Sequence, residues 1–118
     1  MSAVDQAIHY LEIITPEPEA TSAFYTEAFG WQFEQVPELG NAFAAPIPGG
    51  ALCGIRAPMH DQEAPITRTY LRVPDIEAAV SQAEKLGANI ALPPMEIPGR
   101  GRIAIYFLGD IQQGVWEP

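Results

Sequence analysis

Tyr10, Glu12, Arg68, Tyr70 and Arg72 are the residues whose types and spacing could do chemistry. Tyr10 and Glu12 are two apart, and so are successive members of the set Arg68, Tyr70, Arg72. On a β-strand, side chains at that spacing share one face. A carboxylate, two phenols and two guanidinium groups could line a site for an anionic or carboxylate-bearing ligand, since arginine presents a planar fork to such groups. The competing reading is an internal ion pair that fills space. A lone buried carboxylate or guanidinium is costly. Glu12 is therefore expected within hydrogen-bond reach of Arg68 or Arg72.

Other candidates carry less. His9 alternates to the face opposite Tyr10 and reads as a structural or interface histidine. His60 sits in a proline-flanked loop and reads as solvated. A metal site built on His9 and His60 is conceivable, but a metal needs three or four ligands. Cys53 has no His or Lys beside it in sequence and reads as an inert buried thiol. Trp31, Phe33, Tyr106, Phe107 and Trp116 could be pocket walls, although aromatic residues at strand spacing are more often core. There is no glycine-rich phosphate loop, nucleophile elbow or zinc spacing.

The elements that must position these residues come as a repeat. Ile8 to Phe33 reads as strand, proline-marked turn, amphipathic helix and strand, and a weaker copy follows 58 residues later. At that offset Pro16 meets Pro74, Glu17 meets Asp75 and Glu19 meets Glu77. Such self-similarity marks a duplicated module. Pro18 suits a first helical turn, Asp75 suits an N-cap, and Gly30 and Gly87 suit helix ends. The first helix is expected to bury Ala20, Ala23, Phe24 and Ala28; the second, Ile76, Ala79, Val80 and Ala83. Expected strands are 7–14, 31–36, 41–45, 51–56, 67–73, 88–92, 102–108 and 114–117. Pro46–Gly50, Pro58–Pro65, Pro93–Pro94 and Pro98–Gly101 read as turns and loops. The pattern is β-α-β-β-β twice: an α+β fold of two βαβββ modules forming a cup-like curved mixed sheet with the helices outside. It is expected to be a single domain, 1–118, with module one at 7–56, a linker at 57–66 and module two at 67–118.

The formal net charge is −9, with only six Lys plus Arg. Nucleic acid and anionic membrane surfaces are thereby disfavoured. No apolar run is long enough to span a membrane, and the N-terminus lacks the basic start and apolar stretch of a signal peptide. One cysteine suits a cytoplasmic location.

The run YLEIITPEPEATSAFYTEAFGW resembles the opening of the glyoxalase/bleomycin-resistance/extradiol-dioxygenase superfamily, the vicinal oxygen chelate proteins. YLRVPDIEAAVSQAEKLGANI, with IPGRGRIAIY and GVWEP after it, is similar to the same family's second module. The resemblance implies a divalent metal held by His, Glu or Gln at matching strand positions. Those positions fall on Tyr10, Arg68, Gly114 and somewhere in Gly50–Gly54. None carries a ligand of that kind.

The expected function is thus a metal-free, cofactor-free binder of a small polar organic molecule, with Tyr10, Glu12, Arg68, Tyr70 and Arg72 binding it. The alternatives are a divalent-metal-dependent lyase, isomerase or dioxygenase of the same superfamily and a ferredoxin-like metabolite-sensing module. Exposed sheet edges and the family's habit of pairing imply a homodimer.

Overall fold

The computed structural model describes residues 6–118, so the first five residues of the expected domain lie outside it. The element order is β1 (Ile8–Ile14), α1 (Pro18–Phe29), β2 (Glu34–Val36), a 3-10 turn (Pro37–Leu39), β3 (Ala42–Pro46), β4 (Leu52–Arg56), β5 (Ile66–Arg72), α2 (Ile76–Lys85), β6 (Asn89–Ile97), β7 (Gly101–Leu108) and β8 (Ile111–Glu117). This is the β-α-β-β-β pattern twice. The chain divides into two compact units, one of Tyr10–Thr67 and the other of residues 6–9 with Arg68–Pro118.

In the first unit the strands run β2-β3-β4-β1, with β1 parallel to β4 and the other pairs antiparallel. Alternation along β1 sends Leu11 and Ile13 to one face. There they join Cys53 and Ile55 in a core completed by Tyr25, Trp31 and Phe33. Pro18 stands in the first turn of α1, and Gly30 ends the helix at φ 78°, a left-handed conformation that glycine adopts without strain.

The buried side of α1 differs from the expected one. Ala20, Ala23 and Ala28 are exposed, and Phe24 and Phe29 are 61% and 63% exposed. Ser22 and Tyr25 turn inward instead. Tyr25 stacks on Trp31 at 5.3 Å, nearly parallel, and the Ser22 hydroxyl donates to the Glu19 carbonyl at 2.9 Å. The helix is thus rotated so that Tyr25, and not Phe24, packs on the core beside Trp31.

In the second unit the order is β5-β8-β7-β6, with β5 parallel to β8. Val73, Ile76, Ala104 and Val115 form its core, with Ala79, Val80 and Tyr106 against it. Asp75 caps α2, accepting from the Ala78 N–H at 3.1 Å, as its sequence position suggests. Pro93 and Pro94 are not a turn. They lie inside β6, which runs on to Ile97 and pairs with β7 through register shifts on either side of Leu92. Proline is tolerated where a strand uses only one edge or bulges, because the missing N–H need not face a partner. β8 begins at Ile111, three residues before the expected Gly114. β2 is shorter than expected and starts at Glu34.

Candidate functional site

In each unit the face of the sheet opposite the helix carries a buried charged group. On β1 this face holds Tyr10 and Glu12, with Glu12 only 8% exposed. Its Oε2 accepts from Arg56 Nε at 2.8 Å. The rest of the Arg56 fork grips Glu63 bidentately, at 2.9 and 2.8 Å, and donates to the Ala57 carbonyl. Glu63 also accepts from the Met59 N–H at 2.7 Å. Hydrogen bonding to Arg56 lowers the Glu63 carboxyl to about 2, and the same bonds raise Arg56 further above its ordinary range.

On β5 the corresponding face holds Arg68 and Tyr70, with Arg68 only 7% exposed. Arg68 Nη2 donates to Gln112 Oε1 at 2.9 Å and Nη1 to the Tyr70 hydroxyl at 3.3 Å. Tyr70 meets Trp116 edge-on at 5.7 Å, and the His9 ring lies 5.1 Å from the same tryptophan. The Trp116 indole N–H is held by the Arg100 carbonyl at 2.7 Å. His9 Nδ1 is buried and has no hydrogen-bond partner among the described residues. Burial lowers the imidazole pKa first, and the positive charge of Arg72 lowers it further. The Arg72 backbone pairs with Ala7 and Gln6.

Strand registers align the two modules. Glu12 is paired with Gly54, and Tyr70 with Gly114. Gly54 is thus the residue in module one that matches Gly114. A side chain on either would be blocked. A Cβ on Gly54 would coincide with the Tyr10 hydroxyl, and one on Gly114 would enter the Tyr70 ring. Each glycine is the floor on which a tyrosine lies.

The metal that the resemblance implies does not fit these residues. Two of its positions are glycines covered by phenols, a third is a guanidinium, which repels a cation, and the fourth is Tyr10. Among the described residues, no group of three or more His, Cys, Asp or Glu is placed to hold a metal ion. His60 is exposed. Cys53 is fully buried, and burial raises its thiol to about 11. That agrees with an inert thiol.

Tyr10 and Glu12 therefore stand together in one unit, and Arg68, Tyr70 and Arg72 in the other. Arg56, Glu63 and Gln112 were not anticipated. Arg56 could have been found from strand parity, since it is two residues past Gly54 and so on the Glu12 face. Glu63 carried no signal, because a loop has no periodicity to place it. Trp31, Phe33 and Tyr106 pack against the two cores, as plain core aromatics would.

Three comparisons bear on identity. The model of the Glyoxalase/Bleomycin resistance protein/Dioxygenase superfamily matches residues 7–111. The protein named "Putative glyoxylase CFP32" in Mycobacterium bovis, and its namesake in Mycobacterium tuberculosis, are 27% identical over 92% of this chain. The chain spans only 44% of the length of those relatives. Among solved structures, methylmalonyl-CoA epimerase from Mycobacterium tuberculosis superimposes with a TM-score of 0.74 at 17% identity, covering 100% of this chain and 93% of that one. A hypothetical protein from Bacillus halodurans gives a TM-score of 0.74 at 14% identity, covering 95% and 94%. These structural likenesses extend over the whole chain and agree with the fold class expected from the repeat. The chain belongs to the glyoxalase/bleomycin resistance protein/dioxygenase superfamily.

Proposed function

We propose that this protein binds a small polar organic molecule without a metal, using Tyr10, Glu12, Arg68, Tyr70 and Arg72. The observation that carries the reading is the burial of ionisable groups on the sheet faces away from the helices. Glu12 and Arg68 are almost wholly withdrawn from water, and such placement is expensive unless it serves recognition or is fully compensated. The arginines favour a ligand with a carboxylate or similar anionic group. The Tyr10 hydroxyl lies over Gly54, and the Tyr70 hydroxyl, which accepts from Arg68, stands on the Arg68 face. The assembly proposed is a homodimer, in the cytoplasm. Sheet edges favour the pairing, and the single cysteine favours that compartment.

A second reading, a metal-dependent enzyme of the same superfamily, draws on structural neighbours named as epimerases. Tyr10, Gly54, Arg68 and Gly114 weigh against it. A ferredoxin-like sensor is disfavoured by the three strands that follow each helix.

Equilibrium dialysis and thermal melting against a panel of small carboxylates test the proposal, with elemental analysis on the same sample. The expected result is a saturable rise in Tm with one or more carboxylates that Arg68→Gln abolishes, in protein carrying well under one metal ion per chain. A stoichiometric metal that survives dialysis would instead favour the enzyme.

A further inference from the structure

In the second unit a strip of apolar side chains runs on from the residues assigned above to the ligand. Residues paired across strands share a face of the sheet. Tyr70 is opposite Gly114, Gly114 is opposite Ile105, and Ile105 is opposite Leu92 on β6. Phe107, two residues past Ile105, is opposite Gln112. α2 lies on the other side of the sheet, against Ala104, Val115 and Tyr106. Ile105, Leu92 and Phe107 therefore stand on the face that carries Arg68 and Tyr70. All three are half-buried, so each keeps part of its apolar surface open.

Gln112 joins this strip to the polar end. It lies two residues before Gly114 on β8 and so shares its face. A guanidinium has donors and no acceptor, so the Gln112 amide must turn its oxygen toward Arg68 Nη2, at 2.9 Å. The same planar amide then points Nε2 away from the guanidinium. No acceptor among the described residues takes that N–H₂ group. Gln112 is thus held in one orientation, with a donor on offer at the end of an apolar strip. A dicarboxylic or hydroxy acid would lay polar groups on Ile105 and Leu92, which return no hydrogen bond. A compact hydrocarbon body would remove apolar surface from water on both partners.

We propose that the ligand is a monocarboxylate polar at one end only, with its head on Gln112 Nε2 and its apolar body on Ile105, Leu92 and Phe107. This rests on the reading of the protein as a metal-free binder of a carboxylate and adds the specificity. Gln112 places the head, and the strip selects the body.

The test is a ¹H–¹⁵N NMR titration of the full chain with acetate, malonate and cyclohexanecarboxylate, with cyclohexanemethanol as a neutral control. Both monocarboxylates should shift the Gln112 side-chain amide, a direct reading that needs no variant. Cyclohexanecarboxylate alone should also shift Leu92, Ile105 and Phe107, and should bind at least about tenfold more tightly than acetate. Gln112→Leu should weaken both monocarboxylates alike, roughly twofold to tenfold, the worth of one hydrogen bond. Ile105→Thr keeps a β-branched side chain in the strand and should weaken cyclohexanecarboxylate alone. Malonate or acetate binding as tightly as cyclohexanecarboxylate would overturn the proposal and leave the carboxylate reading standing. Binding of no carboxylate would overturn both. Equal binding of the alcohol would make the strip merely apolar and overturn the role of Gln112. An Ile105→Thr chain that keeps full affinity but loses mass in light scattering would assign the strip to a second copy instead.

Discussion

In the first module a guanidinium is tied between two carboxylates, Glu12 and Glu63, whereas in the second Arg68 donates to an amide and a phenol. The tyrosines differ too. Tyr10 brings only its hydroxyl end over Gly54, while Tyr70 lays its ring along Gly114. The helices differ in the same sense. α1 begins without a side-chain cap and shows phenylalanines to solvent. α2 is capped by Asp75, and Glu117 accepts from its first N–H at 2.9 Å. A duplicated scaffold preserves backbone register and glycine floors, since both are steric. It leaves each copy free to satisfy its buried charges differently, because many partner sets can do that.

The largest effect should come from removing the central cation of module one. Arg56→Met leaves Glu12 and Glu63 without it, and breaking a buried pair costs about 3–5 kcal/mol. Urea unfolding measures this. A loss under about 1 kcal/mol, the range of surface pairs, would mean the cluster behaves as one.

Next comes the glycine comparison. Gly114→Ala drives a methyl group into the body of a buried ring and should cost about 1–3 kcal/mol. Gly54→Ala meets the far end of a side chain and should cost less, with Tyr10→Phe in the same chain recovering part of the loss. Equal costs at both glycines would erase the asymmetry.

Helix capping should separate the modules by a smaller amount. Asp75→Ala is expected to lose about 1 kcal/mol, the usual worth of an N-cap. Glu17 holds the matching place at α1 and makes no side-chain cap, so Glu17→Ala should be close to neutral in the same thermal melts.

The same Arg56 cluster also carries a pH dependence. Folding depresses the Glu63 carboxyl from 4.5 to about 2, so the unfolded chain takes up its proton first. The contribution is therefore complete above about pH 4.5 and is lost as pH falls toward about 2. His9, lowered from 6.5, acts in the same direction and begins to lose its share below that value. Glu63→Gln should flatten the acid limb of a stability–pH curve while leaving the His9 slope in place. An unchanged acid limb would show that Glu63 does not hold its proton-free form by pairing.

By itself the sequence determined the repeat, and with it the order of elements. Period-two alternation, a proline at a helix start and a glycine at a helix end are local signals that need no partner. It also placed Tyr10, Glu12, Arg68 and Tyr70 on the faces that proved buried, since parity along a strand is fixed once the strand is. The tertiary structure decided the rest. Which side of α1 is buried depended on Tyr25 finding Trp31, and no helical period records that stacking. Pro93 and Pro94 stayed in a strand because β6 pairs through shifted register, a property of its place in the sheet. The glycines at 54 and 114 acquired their meaning only when tyrosines from neighbouring strands came to rest on them. Arg56 and Glu63 likewise meet across a loop, where pairing depends on distance in space and leaves no trace in sequence spacing.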